Sequence, residues 1–149
     1  MTEFKRIFLD TTPLIYFLDD NEQYGELTKA VFKEVYVSEK EVLTSAVTCM
    51  EYLVHPYRTG NLAKVDVFFE FIEDYGVDLI KIDTDIAEMA AKIRATYSSF
   101  KPMDSLQLAV AVVYGCDLFL TNDKQLKQFT DVKCVTVEDW FEDYNKSLK

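Results

Sequence analysis

The chain has 149 residues, the size of one ordinary domain, and 49% of them are apolar against only four glycines and three prolines. Disordered, collagen-like and low-complexity classes are excluded. Sixteen Lys and Arg stand against 26 Asp and Glu, a formal net charge of −10, so a general electrostatic grip on nucleic acid is disfavoured. Two arrangements escape that limit: a local basic patch, or divalent cations that neutralise clustered carboxylates.

Cys49, Cys116 and Cys134 are far apart and form no Cys-x-x-Cys pair, which suggests neither a disulfide framework nor a zinc knuckle. The opening MTEFKRIFLD carries an acid at position 3 and too short an apolar run for a signal peptide. No stretch approaches the ~20 apolar residues that span a bilayer. One cytoplasmic domain over residues 1–149, without a membrane partner, is expected.

In chain order, Ile7-Phe8-Leu9 is a short buried strand, and Asp10-Thr11-Thr12-Pro13 opens a helix that runs to Leu18. Leu27, Ala30, Val31 and Val35 recur at helical spacing between Gly25 and Glu39. Val42-Leu43-Thr44 is a second strand, followed by a helix over 45–58 in which Pro56 marks a fraying or kinking end. Asn61 caps a helix with an apolar face of Val65, Phe68, Phe69, Ile72 and Tyr75, and Gly76 ends it. Residues 77–82 form a third strand, and Asp83 or Thr84 caps the helix that follows, to about Tyr97. After a polar break, the helix from about Met103 to Tyr114 is apolar on most sides, as expected of a helix buried against a sheet. A fourth strand over 117–121, a short helix over 124–129, a fifth strand over 132–137 and a closing helix from Glu138 to Leu148 complete the chain.

Strands that alternate with helices, with no hairpin signal between them, imply right-handed crossovers and a mostly parallel sheet covered on both faces. The class is α/β, a three-layer sandwich. In such sheets ligands bind beyond the carboxyl ends of the strands, at a topological switch point. Two acids, Asp10 and Asp123, follow strands one and four. Glu51 lies in the helix after strand two, and Asp104 opens the buried helix that leads to strand four. Each alone has an ordinary reading, as a cap, a turn former or a solvated side chain. Jointly they converge on one rim of the sheet, where clustered carboxylates are tolerable only when protonated or bound to cations. Hard oxygen ligands select Mg²⁺ or Mn²⁺, and such ions generate nucleophilic water and steady the oxygens of a phosphodiester in displacement.

At these residues the chain resembles the PIN-domain family of metal-dependent ribonucleases, in particular its small toxin-type members from toxin–antitoxin pairs. The motifs are Phe8-Leu9-Asp10-Thr11, Thr48-Cys49-Met50-Glu51, the run from Asp104 to Ala109, and the run from Cys116 to Asp123. The resemblance implies a five-stranded parallel sheet in the order 3-2-1-4-5. It also implies Asp10, Glu51, Asp104 and Asp123 around Mg²⁺ or Mn²⁺, with Thr11, Thr121 and Asn122 in support. The implied activity is water-driven cleavage of single-stranded or structured RNA, with a small antitoxin protein as partner and a homodimer as the assembly. The alternative is a PIN-like module that keeps its acids but acts as a non-catalytic binding or regulatory partner. A phosphatase of the haloacid-dehalogenase type would need an Asp where Thr12 stands.

Arg58 and Lys101 are candidate RNA contacts. Tyr16, Phe17 and Tyr52 could stack on bases, although aromatic residues at helical spacing are usually core. His55, the only histidine, is expected on a helix surface. Tyr16, Phe17, Val31, Phe32, Val35, Phe68, Phe69 and Phe71 exceed what one small sheet face covers, so an exposed patch is expected among them.

Overall fold

The computed structural model describes residues 3–147. The strands are β1 (Arg6–Leu9), β2 (Glu41–Ser45), β3 (Asp78–Ile80), β4 (Leu118–Thr121) and β5 (Lys133–Thr136). The helices are α1 (Thr11–Leu18), α2 (Gly25–Val37), α3 (Ala46–Arg58), α4 (Leu62–Asp74), α5 (Thr84–Thr96), α6 (Pro102–Val113) and α7 (Val137–Ser147), with a 3₁₀ turn over Lys124–Gln128. Leu148, the expected end of the last helix, lies outside the described residues.

All four strand pairings are parallel, and the sheet order is β3-β2-β1-β4-β5. The period of two along each strand explains why both faces are covered. Ile7 and Leu9 of β1, Val42 of β2, Leu118 and Leu120 of β4 and Val135 of β5 enter one core with α1 to α4 and α7. Phe8, Leu43, Phe119 and Cys134 enter the other, beneath α5 and α6. Phe8 and Phe119 are register partners and stack with ring centroids 5.1 Å apart.

Pro56 lies inside α3, which ends at Arg58 as expected, and Thr59 and Asn61 donate N–H to the carbonyls of His55 and Pro56. Two expectations change. The third strand is only three residues long, as suits a sheet edge. The aromatic surplus is mostly absorbed: Val31, Phe32, Val35, Phe68 and Phe71 are buried because several helices stack over that face, while Phe69 is exposed. Gly115, at φ +65°, turns the end of α6 toward β4 in a backbone region that favours glycine.

The register has a consequence for chemistry. Pairing Leu9 with Leu120 brings Asp10 beside Thr121, and Asp10 N–H donates to the Leu120 carbonyl at 2.9 Å. The two central strands β1 and β4 therefore end together where the sheet order reverses.

A carboxylate pocket at the switch point

Asp10 sits between β1 and α1 and is 8% exposed. As N-cap of α1 its Oδ1 accepts from Thr11 N–H at 2.9 Å, and its Oδ2 accepts from the Thr121 hydroxyl at 2.8 Å. Burial, with added repulsion from Asp104 and Glu51, pushes its carboxyl up to about 6 against the opposing pull of those two hydrogen bonds. The Asp104 carboxyl, in the first turn of α6, is also raised, by burial first and then by Asp123 and Glu51, with Lys101 opposing. Thr121 Oγ1 in turn accepts from Asp123 N–H at 3.1 Å, and Asp123 caps the 3₁₀ turn by accepting from Gln125 N–H at 3.0 Å. Glu51, exposed on α3, accepts from the Thr11 hydroxyl at 2.8 Å.

All four acids line one cavity of about 670 Å³ together with Thr11, Thr12, Ile15, Lys101, Pro102, Met103 and Thr121. Among the described residues no Lys or Arg lies within ion-pair distance of any of the four; the ion pairs join other acids, such as Glu41, Asp19 and Asp139. Among the described residues no group of three or more His, Cys, Asp or Glu side chains stands close enough together to hold a metal ion. The donor set is oxygen alone, carboxylates supported by hydroxyls. It fits a hard cation that keeps part of its water shell, as Mg²⁺ does when one or two carboxylates and water share its octahedron.

Of the remaining candidates, Thr11, Thr121 and Lys101 belong to this pocket. Asn122 does not: its amide donates to the Tyr16 hydroxyl at 2.8 Å, tying the strand end to α1. Arg58 is an exposed residue at the end of α3, away from the pocket lining. The aromatic candidates are packed, Tyr16 stacked on Tyr24, Phe17 edge-on to Phe32 and Tyr52 stacked on Phe68. His55 is exposed, as expected.

Beneath the pocket lies a buried polar layer of which the sequence motifs marked Thr48 but not its function as a partner of Thr44 and Gln107. Thr44, Ser45, Thr48 and Gln107 are each at most 1% exposed and are hydrogen-bonded to one another. Its one legible signal is Gln107, an amide inside an otherwise apolar helix face, where an unpaired polar group is costly.

An all-parallel sheet in the order 3-2-1-4-5 with acids converging at its switch point defines a PIN-like α/β/α protein. The PIN domain model matches residues 7–132, and the chain belongs to the PIN-domain family, whose members are generally ribonucleases and typically use divalent metals. A search of curated proteins finds no match. Solved structures with this fold include VapBC2 from Rickettsia felis bound to a promoter DNA fragment, with 12% identity over 88% of this chain and 98% of that one and a TM-score of 0.70. FitAcB from Neisseria gonorrhoeae shares 22% identity over 89% and 98%, with a TM-score of 0.68. The sarcin–ricin loop cleaving toxin VapC20 from Mycobacterium tuberculosis shares 20% over 85% and 98%, with a TM-score of 0.62. Among the described residues no helix is long and apolar enough to cross a membrane.

Proposed function

We propose that the chain is a single PIN domain, a cytosolic endoribonuclease that requires Mg²⁺ or Mn²⁺ and acts as the toxin of a toxin–antitoxin pair. The observation that carries this reading is the convergence of four carboxylates from four separate segments on one pocket whose lining holds a single protein cation, Lys101. Asp10, Glu51, Asp104 and Asp123 would hold the metal. When bound, it supplies Lewis acidity to the phosphodiester and a more acidic water.

The chain's own residues do the rest. Thr121 and the Thr11 N–H orient the Asp10 carboxylate, and the Thr11 hydroxyl orients Glu51. Lys101 is the cation on the pocket wall and the residue placed to meet a phosphate of the substrate. With a body charge of −10, RNA binding depends on such local contacts and on the metal. The similarity to a sarcin–ricin loop cleaving toxin makes structured RNA a reasonable first substrate. The solved VapBC complexes of the same fold support a small antitoxin protein as partner, and we propose a homodimer as the toxin's own assembly.

Incubation with mixed single-stranded and structured RNAs, with and without Mn²⁺, beside the Asp10→Asn protein is the test. Multiple turnover that needs metal and vanishes in the variant is expected. RNA binding without turnover would replace this reading with a non-catalytic PIN-like module, and cleavage that needs no metal would overturn the metal dependence.

A further inference from the structure

Gln107 is 1% exposed, and the four residues that follow it, Leu108, Ala109, Val110 and Ala111, are buried and apolar. Its amide is nevertheless engaged at both ends. Oε1 accepts from the Ser45 hydroxyl, whose own oxygen accepts from Val47 N–H at 3.1 Å. Nε2 donates to Thr48 Oγ1 at 2.7 Å and makes a long contact of 3.5 Å with Asp10 Oδ1. Turning the amide over would set its oxygen against the Asp10 carboxylate, so its direction is determined by the charge above it.

Thr48 carries this direction outward. Its Oγ1 lies 2.8 Å from that of Thr44, which donates to the Leu9 carbonyl, and 3.2 Å from that of Thr11. Thr11 spends its single hydroxyl proton on Glu51 Oε1 at 2.8 Å. That bond matters because Glu51 is exposed and, among the described residues, the Thr11 hydroxyl is its one hydrogen-bond donor, whereas Asp10 and Asp123 each accept from a backbone N–H. A long carboxylate is thus aimed by one hydroxyl, and, with the Thr11 proton given to Glu51, the 3.2 Å contact to Thr48 is a hydrogen bond when Thr48 is its donor.

We propose that Gln107 is a positioning residue: its amide sets Thr48, Thr48 sets Thr11, and Thr11 aims Glu51 into the acid pocket. The inference rests on the metal-site reading above. Outer partners of this kind, when removed, typically weaken metal binding about 10- to 100-fold.

The test compares Gln107→Met, Thr48→Val and their combination with Ser105→Ala, a buried hydroxyl on the same helix that donates to the Lys101 carbonyl and, among the described residues, makes no hydrogen bond to Gln107, Thr48 or Thr11. Mn²⁺ affinity is read from the electron paramagnetic resonance signal of the free ion, and thermal melts report folding. Each of the first two changes should weaken Mn²⁺ binding about tenfold or more. The double variant should be no worse than the weaker single one, because both break the same relay. Ser105→Ala should bind like the parent. Undiminished Mn²⁺ affinity in Thr48→Val, or losses that multiply in the double variant, would overturn the relay while leaving the metal site standing. If Gln107→Met does not fold, the comparison of Thr48→Val with Ser105→Ala decides alone. Failure of the parent protein to bind Mn²⁺ would overturn the metal reading and this proposal with it.

Discussion

Asp10 and Asp117 show how two aspartates in one fold respond to pH with opposite sign. The Asp10 carboxyl is raised to about 6, mainly by burial. The folded chain therefore binds that proton more tightly than the unfolded chain, and the stability linked to it is present at low pH and lost as pH rises through about 6. Asp10→Asn should flatten this dependence and stabilise the metal-free protein at pH 7.5 by about 1 kcal/mol, within a ceiling of about 3 kcal/mol for a carboxyl raised to about 6. Urea denaturation at pH 5 and 7.5 checks it, and a variant less stable than the parent at pH 7.5 would refute the argument. The Asp117 carboxyl is lowered, first by the N–H groups of Lys5 and Arg6, which reach its Oδ2 at 2.8 and 3.0 Å. Its contribution is present above the ordinary carboxyl range and disappears as pH falls below it. Because the group is exposed, Asp117→Ala should cost only about 1 kcal/mol at pH 7. The difference from the parent should shrink toward zero at pH 3.

At the scale of elements, α6 does two jobs. Its first turn brings Asp104 to the pocket, and its middle fills the core beneath β1 and β4 with Leu108, Ala109 and Ala111, each 0% exposed. Leu108→Ala should cost about 2–5 kcal/mol, the range for removing a buried leucine from a packed core. A loss below 1 kcal/mol in urea would show that the helix is less tightly packed than its burial indicates. The N-terminal ends of α1 and α3 also serve the site, since Asp10 and Ser45 are their caps and stand where β1 and β2 finish. Capping and site building are here the same contacts. Replacing either residue therefore tests both at once, whereas Ser105 and Leu108 separate them.

For the whole molecule, the governing quantity is the charge of −10. A cation that binds only the folded chain stabilises it, by about 2.7 kcal/mol when present at 100 times its Kd. Millimolar Mn²⁺ should therefore raise the melting temperature of the parent at pH 7.5. It should do so much less at pH 5, where Asp10 holds its proton, and not at all in Asp10→Asn. A melting curve indifferent to Mn²⁺ at pH 7.5 would count against the site. Self-association has its own test. Met50, Val54 and Tyr57 are exposed at spacings of four and three on α3, so they share one helix face. Light scattering at micromolar concentration should give about twice the chain mass, and Val54→Lys should return it to one. A monomeric parent would remove the dimer from the proposal.

Much of this protein is local, and the local part is what the sequence determined. Periodicity, caps and the Asp10, Glu51, Asp104 and Asp123 motifs depend on neighbours within a few residues, and the structure keeps each element near its expected place and brings those four acids to one pocket. The tertiary structure decided whatever depends on which surfaces meet. Asn122 reads as a pocket residue until the strand end turns it to Tyr16. Phe32, Phe68 and Phe71 look surplus until α2 and α4 stack over the same sheet face. Gln107, a polar group in an apolar helix, is satisfied by Ser45 of β2, Thr48 of α3 and Asp10 just beyond β1. The physical reason is range: a helix or strand is specified by contacts a few residues apart, whereas the partner of a buried amide or ring is supplied by whichever segment the topology folds against it.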